Sequence, residues 1–282
     1  MTSIVLSNVI TGSPVMVTLW KALQKLRQIL MPVSYSWPAT DLQVNHCRIH
    51  LVGSIHMGTR NMSPLPAPLL NQLRTADALI VEADILSAPS PLNTPGERAG
   101  LTERFTAALT AELEKRCAEY NIPRATIEHL PAWQIALILQ SRQAERLGLR
   151  PEYGIDYQLL QAAKTINKPV IELEGAETQL ALLTRLPDDG LALLSDSLQH
   201  WHTNARLLQT MISWWVEGPP RKKTAATLLP STFSNPLNDT LIRQRNLAWK
   251  QQLSQLDAGR YLVAVGALHL YGDDNLPAML VQ

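Results

Sequence analysis

Leu51-Val52-Gly53-Ser54-Ile55-His56 and Val263-Ala264-Val265-Gly266-Ala267-Leu268-His269 are two copies of one short pattern, an apolar run that enters Gly-x-x-His. Each apolar run reads as a buried strand, and each glycine as a sharp backbone turn at its end. The histidine three residues on is then held just past the strand's carboxyl edge, where open α/β sheets collect ligands and reacting groups. Ala78-Leu79-Ile80-Val81-Glu82-Ala83-Asp84 has the same form and delivers a carboxylate. His56, His269 and Glu82 thus define a candidate cluster suited to a metal or to acid–base chemistry. The competing reading of each histidine is a partly buried ring bonded to a backbone carbonyl. For Glu82 it is an ion pair with one of the 25 Lys and Arg residues, because a buried acid must be paired or ligating.

Val33 to Trp37 is expected as a strand, with a turn around Pro38 to Asp41 and a second strand reaching Gly53. A helix is expected from Ser63 through Leu73, then strand 78–84, so that this β-helix-β unit makes a parallel, right-handed crossover. Residues 98–149 and 176–256 read as long, largely helical insertions. Pro131 suits a helix start and Gly148 a helix end. Between the insertions Asp156 heads a helix ended by Asn167, and Lys168-Pro169 leads into strand Val170 to Leu173. The last strand covers residues 260–266. The fold class is therefore α/β, a mixed and largely parallel sheet flanked by helices. Residues 33–282 are expected as one domain, preceded by an N-terminal segment 1–32.

Composition narrows the function. A net charge of +1 and no basic block longer than Arg221-Lys222-Lys223 give no electrostatic reason to expect a nucleic-acid partner. Two cysteines, Cys47 and Cys117, with no Cys-x-x-Cys argue against a disulfide framework or a thiolate zinc site. No basic residue precedes Lys21, so residues 1–20 make a poor secretory leader. A cytoplasmic location is expected. The alternative is peripheral membrane attachment through residues 1–30, which include the basic amphipathic stretch Trp20 to Leu30.

The chain resembles the TraB/GumN/YbaP family, which includes the Tiki membrane metalloproteases of animals, and looks most like its YbaP-type bacterial branch. The resemblance rests on Gly53-Ser54-Ile55-His56-Met57-Gly58, Val81-Glu82-Ala83-Asp84, Tyr153-Gly154-Ile155-Asp156-Tyr157, the acidic run Ile171 to Gln179, Gln244-Arg245-Asn246-Leu247-Ala248-Trp249 and Val265-Gly266-Ala267-Leu268-His269. It implies a metal-dependent hydrolase, acting on a peptide or small amide, with His56, Glu82 and His269 as ligands. It also points to Glu174 as base and to Arg245 as stabiliser of the developing oxyanion. Asp156 is a further catalytic candidate, rivalled by an ordinary helix N-cap.

Two imidazoles and one carboxylate suit a divalent ion such as Mn²⁺, Co²⁺ or Zn²⁺, which would make hydroxide available near neutral pH. Two other readings stand beside it. One is a metal-free hydrolase with a histidine base, like the distantly similar erythromycin esterases. The other is a module that captures a peptide or small ligand without turnover. His200 and His202, two apart on a helix, point to different faces and cannot share a metal. His46 and His50 are expected at the surface or sheet edge, and His129 at a helix entry.

Overall fold

Among the described residues five strands, β1 (Ala39–Val44), β2 (Cys47–Ser54), β3 (Ala78–Val81), β4 (Val170–Glu172) and β5 (Gly259–Gly266), form one mixed sheet in the order β1-β2-β5-β3-β4. The computed structural model describes residues 35–87, 98–220, 233–272 and 274–281. The basic amphipathic stretch Trp20 to Leu30 and the basic trio at 221–223 lie outside the described residues. β1 is antiparallel to β2, and the β2–β5, β5–β3 and β3–β4 pairings are parallel. This is the α/β class expected. The first turn, however, is not at Pro38 to Asp41, most of which is strand. The chain reverses at Asn45-His46, where Asn45 takes φ 49°, a left-handed conformation that a short polar side chain tolerates.

The crossover from β2 to β3 is parallel, but the two strands are not neighbours. β5 lies between them, pairing Ser54 with Gly266 on one side and Val81 with Ala264 on the other. The strand made last in the chain thus occupies the sheet's centre. The helix of the crossover, α1, is Ala67–Thr75 and begins later than Ser63. Pro64 and Pro66 push the residues before them toward extended backbone and delay it.

The remaining long helices are α2 (Ala107–Glu119), α3 (Ala132–Arg146), α4 (Ile155–Thr165), α5 (Ala176–Thr184), α6 (Leu191–Gln199), α7 (Trp201–Val216) and α8 (Gln244–Leu253). α3 starts after Pro131 and ends before Gly148, whose φ of 85° is the left-handed geometry that glycine supplies at a helix end. Alternate strand residues point to opposite faces. Leu79, Val81, Leu262 and Ala264 pack with α1, α4 and α7, while Ile80, Val263 and Val265 pack with Trp249 and Leu253 of α8. Burial on both faces explains why β3 and β5 read as continuous apolar runs. A third core joins α2, α3 and α6 around Leu113, Ile135, Leu139 and Leu194, away from the sheet. Among the described residues no helix is long and apolar enough to cross a membrane.

Candidate functional site

Because β2, β5, β3 and β4 are parallel, the segments carrying His56, His269, Glu82 and Glu174 all leave the sheet at one edge. The glycines of the repeated motif serve there for room, not for turning. Neither Gly53 nor Gly266 is among the positive-φ residues. A Cβ on Gly53 would lie 3.1 Å from the Ala267 Cα, and one on Gly266 3.3 Å from Glu82 Oε1.

His56 sits in the loop after β2, and that loop is clamped to the start of α4. Ile155 donates its amide to the Ile55 carbonyl at 2.9 Å, and Gly58 and Arg150 exchange backbone bonds at 3.0 and 2.8 Å. The approach is close enough to demand glycine twice: a Cβ would meet the Tyr153 carbonyl oxygen at 2.1 Å from Gly58 and the His56 carbonyl oxygen at 2.2 Å from Gly154. Gly154 is the helix cap, so Asp156 lies in the first turn and caps nothing. Its Oδ2 instead faces His56 Nδ1 at 2.9 Å. The imidazole is two-thirds open to solvent, whereas the Asp156 side chain is 9% exposed. Asp156 raises the imidazole pKa, with smaller effects from burial, Glu82 and Arg245, to about 9. Water around the open ring screens that shift.

The second part of the cluster is built around Arg245, at the start of α8. Its Nε and Nη2 donate to Glu174 Oε1 and Oε2 at 2.8 and 2.9 Å, and Nη2 also reaches Glu82 Oε2 at 2.5 Å. Its Nη1 contacts the Leu241 carbonyl and His269 Nε2, each at 3.3 Å. The guanidinium lies over the Trp249 ring, 4.6 Å from its centroid, and Trp249 Nε1 donates to Glu174 Oε1 at 3.0 Å. Glu82 Oε1 accepts the Gly266 amide at 2.6 Å, and its Oε2 accepts Gln179 Nε2 at 3.1 Å. Glu82 is thus the paired buried acid that its strand-end position demanded, with Arg245 as partner.

His269 is 3% exposed and lies in the helical turn after β5. Its tautomer follows from its neighbours. Asn246 Nδ2 donates to the Asp274 carbonyl at 2.8 Å, which turns Asn246 Oδ1 toward His269 Nδ1 at 2.7 Å. Nδ1 must carry the hydrogen, leaving the Nε2 lone pair toward Arg245. Burial depresses the imidazole pKa to about 3 against the pull of Glu82, so the ring is neutral. Burial alone would raise the Glu82 pKa, but Arg245, His269, His56 and the Gly266 amide outweigh it and bring the pKa to about 2.

The donor types at this edge suit a divalent ion, but their arrangement does not. Among the described residues no group of three or more His, Cys, Asp and Glu side chains is placed to hold one. Glu82 Oε2 and the His269 Nε2 lone pair, the two donors nearest one another through Arg245, are both spent on its guanidinium. His56 pairs with Asp156 instead.

Glu172, beside Glu174 in sequence, accepts the Asp84 amide at 2.6 Å and braces the loop after β3. His50 is not at the surface: it is 6% exposed and bonded through Nδ1 to Asp41 at 2.7 Å. Asn246, Gln179 and Trp249 belong to the cluster and were not singled out from the sequence. The available signal was the helical spacing of Arg245 and Trp249, four apart and therefore on one face.

Fold and cluster together define an α/β protein with a charged, histidine-bearing site at the carboxyl edge of its central strands. The chain belongs to the TraB/PrgY/gumN family, which it matches over residues 37–282. It is 54% identical over 265 residues to the uncharacterized protein YbaP of Escherichia coli (strain K12), covering 93% of this chain and 97% of that protein. The YbaP of Shigella flexneri, also described as uncharacterized, is similar at the same identity and coverage. No solved structure matches the chain.

Proposed function

We propose that the chain is a hydrolase of peptide or small amide bonds in which His56, oriented by Asp156, is the base. The observation that carries this reading is the His56–Asp156 pair, a carboxylate-held imidazole with an open ring at the edge where the sheet delivers its charged groups. His56 Nε2 takes a proton from water, and the hydroxide adds to the carbonyl carbon as the π electrons move to oxygen. Collapse expels the amine, which receives the proton back from the imidazolium. Asp156, 2.9 Å from Nδ1, stabilises the imidazolium between the two transfers by its charge.

The base role expected for Glu174 passes to His56, because both Glu174 oxygens are held by Arg245 and Trp249. Arg245 has five N–H groups. They face Glu174 twice, Glu82, Leu241 and His269, so no guanidinium N–H is left for an oxyanion, and the two carboxylates already offset its charge. A metal-dependent form, with Mn²⁺, Co²⁺ or Zn²⁺ on His56, Glu82 and His269, would require Arg245 to leave two of these donors.

The test is a peptide, amide and ester library assayed with wild type and His56→Gln, their folds compared by circular dichroism. His56→Gln should lose on the order of 10²–10⁴-fold in kcat, the usual worth of a general base. A variant that cleaves as well as wild type overturns this reading. Peptide binding with no cleavage by the wild type replaces it with ligand capture.

A further inference from the structure

The cluster contains one cation whose surroundings are those a metal ion would have. Arg245 is flanked by two carboxylates, the buried Glu82 and the partly buried Glu174, and by the lone pair of a neutral histidine, with Trp249 beneath the guanidinium plane. We infer that Arg245 is the resident cation of this site and that a divalent metal ion and its guanidinium are alternative occupants of one place. The inference concerns the same cluster as the proposed hydrolytic reading, and rests on that reading only for what the cation serves.

Geometry and charge both require exclusion. A metal on His269 Nε2 lies about 2.0–2.1 Å out along the lone pair. Arg245 Nη1 meets that atom at 3.3 Å, so a metal there would fall inside the contact distance of the guanidinium nitrogen. Glu82 Oε2 is likewise met by Nη2 at 2.5 Å. An ion could take neither donor without driving off a positive charge that five acceptors hold.

The charge balance gives the opposite expectation once Arg245 is removed. Glu82 and Glu174 then face each other uncompensated, a net of two negative charges beside a neutral imidazole. A divalent cation neutralises that pair. The sequence expectation of a metal site at His56, Glu82 and His269 therefore identified groups of the right chemistry, but assigned Arg245 to an oxyanion, whereas its guanidinium already satisfies two of them.

The experiment is calorimetric titration of the chelator-treated full chain with Mn²⁺, Co²⁺ and Zn²⁺, alongside thermal melts with each ion. Wild type, Arg245→Gln and Arg245→Gln/His269→Ala are compared. Arg245→Gln should bind one equivalent at least ten-fold tighter than wild type, melt higher with the ion, and lose the gain when His269 is also replaced. The inference is overturned if wild type binds one equivalent tightly and loses it in His269→Ala, or if Arg245→Gln gains nothing. Should Arg245→Gln not fold, wild type and His269→Ala decide alone: tight, His269-dependent binding overturns the inference, and its absence supports it. No turnover enters this test, so a failed cleavage screen removes the hydrolytic reading and leaves the cation assignment standing.

Discussion

His56 carries the clearest pH signature of any single residue. Asp156 raises its pKa from 6.5 to about 9, and a base acts only when deprotonated. The ascending limb of kcat/KM should therefore fall between those values, nearer the lower one as solvent screens the pair. Asp156→Asn removes the carboxylate charge and should move the limb toward 6.5 while lowering kcat; an unmoved limb would detach His56 from the reaction. Gly154→Ala makes a steric prediction. Its Cβ would overlap the His56 carbonyl oxygen at 2.2 Å, so the loop and helix must part. Loss of the imidazole–carboxylate pair, read as the same pH shift plus a lower melting temperature, is the expected result. Asn246→Leu leaves His269 Nδ1–H buried without an acceptor, which costs about 1–3 kcal/mol and should appear in chemical denaturation.

At the scale of elements, α8 is entered through a π-helical segment, Asp239–Arg243, that follows a short helix at Asn235–Asn238. The wider turn accommodates an extra residue. Leu237, before it, packs in the helical core of α2, α3 and α6, whereas Trp249 and Leu253, after it, pack on the sheet. Deleting Thr240 should let the segment close as an α-helix and rotate Leu237 by about 100°, one residue's turn. A fall in melting temperature is expected, along with retention of the Arg245 environment, which Trp249 anchors; tryptophan fluorescence reads the second. The extra turn was illegible because residues 237–256 have one continuous helical pattern. The strands β2 to β5 were legible as apolar runs, whereas the strand expected at Val33 to Trp37 was not found: Tyr35 to Trp37 are not strand, and β1 begins at Ala39. The boundary at Ser63 was marked locally by Pro64 and Pro66 and was missed, whereas the turn expected at Pro38 was not legible, since the packed sheet selects among adjacent turn residues.

For the whole molecule, the buried cluster links stability to acid. Glu82 has its pKa lowered from 4.5 to about 2, so its contribution is complete above 4.5 and fades as pH falls toward 2. His269, lowered from 6.5 to about 3, stays neutral in the fold while the unfolded chain takes up a proton below 6.5. Both effects therefore lower stability on acidification, His269 first. Each unmatched proton contributes about 1.4 kcal/mol per pH unit. Melting temperature should decline below pH 6.5 and more steeply below 4.5. A flat profile between 6.5 and 4.5 would mean that His269 is not held neutral.

The amino-acid sequence alone sufficed for the α/β class, the buried strands and the delivery of His56, Glu82 and His269 to strand ends. Those features are local, set by runs of apolar residues and by the few residues that end each run. It also determined that a buried Glu82 needs a partner. Which partner it takes was set by the packed fold. Arg245 lies 163 residues from Glu82 and 71 from Glu174, and comes between them because β5 inserts at the sheet's centre and α8 packs across its face. Strand order is a competition among all parallel pairings, and no local pattern encodes its outcome. The same insertion turned two equivalent-looking histidines into different groups. His56 remains open and paired with a carboxylate, while His269 is sealed, neutral and bound to an amide, because burial and neighbours, not motif, set the charge on an imidazole.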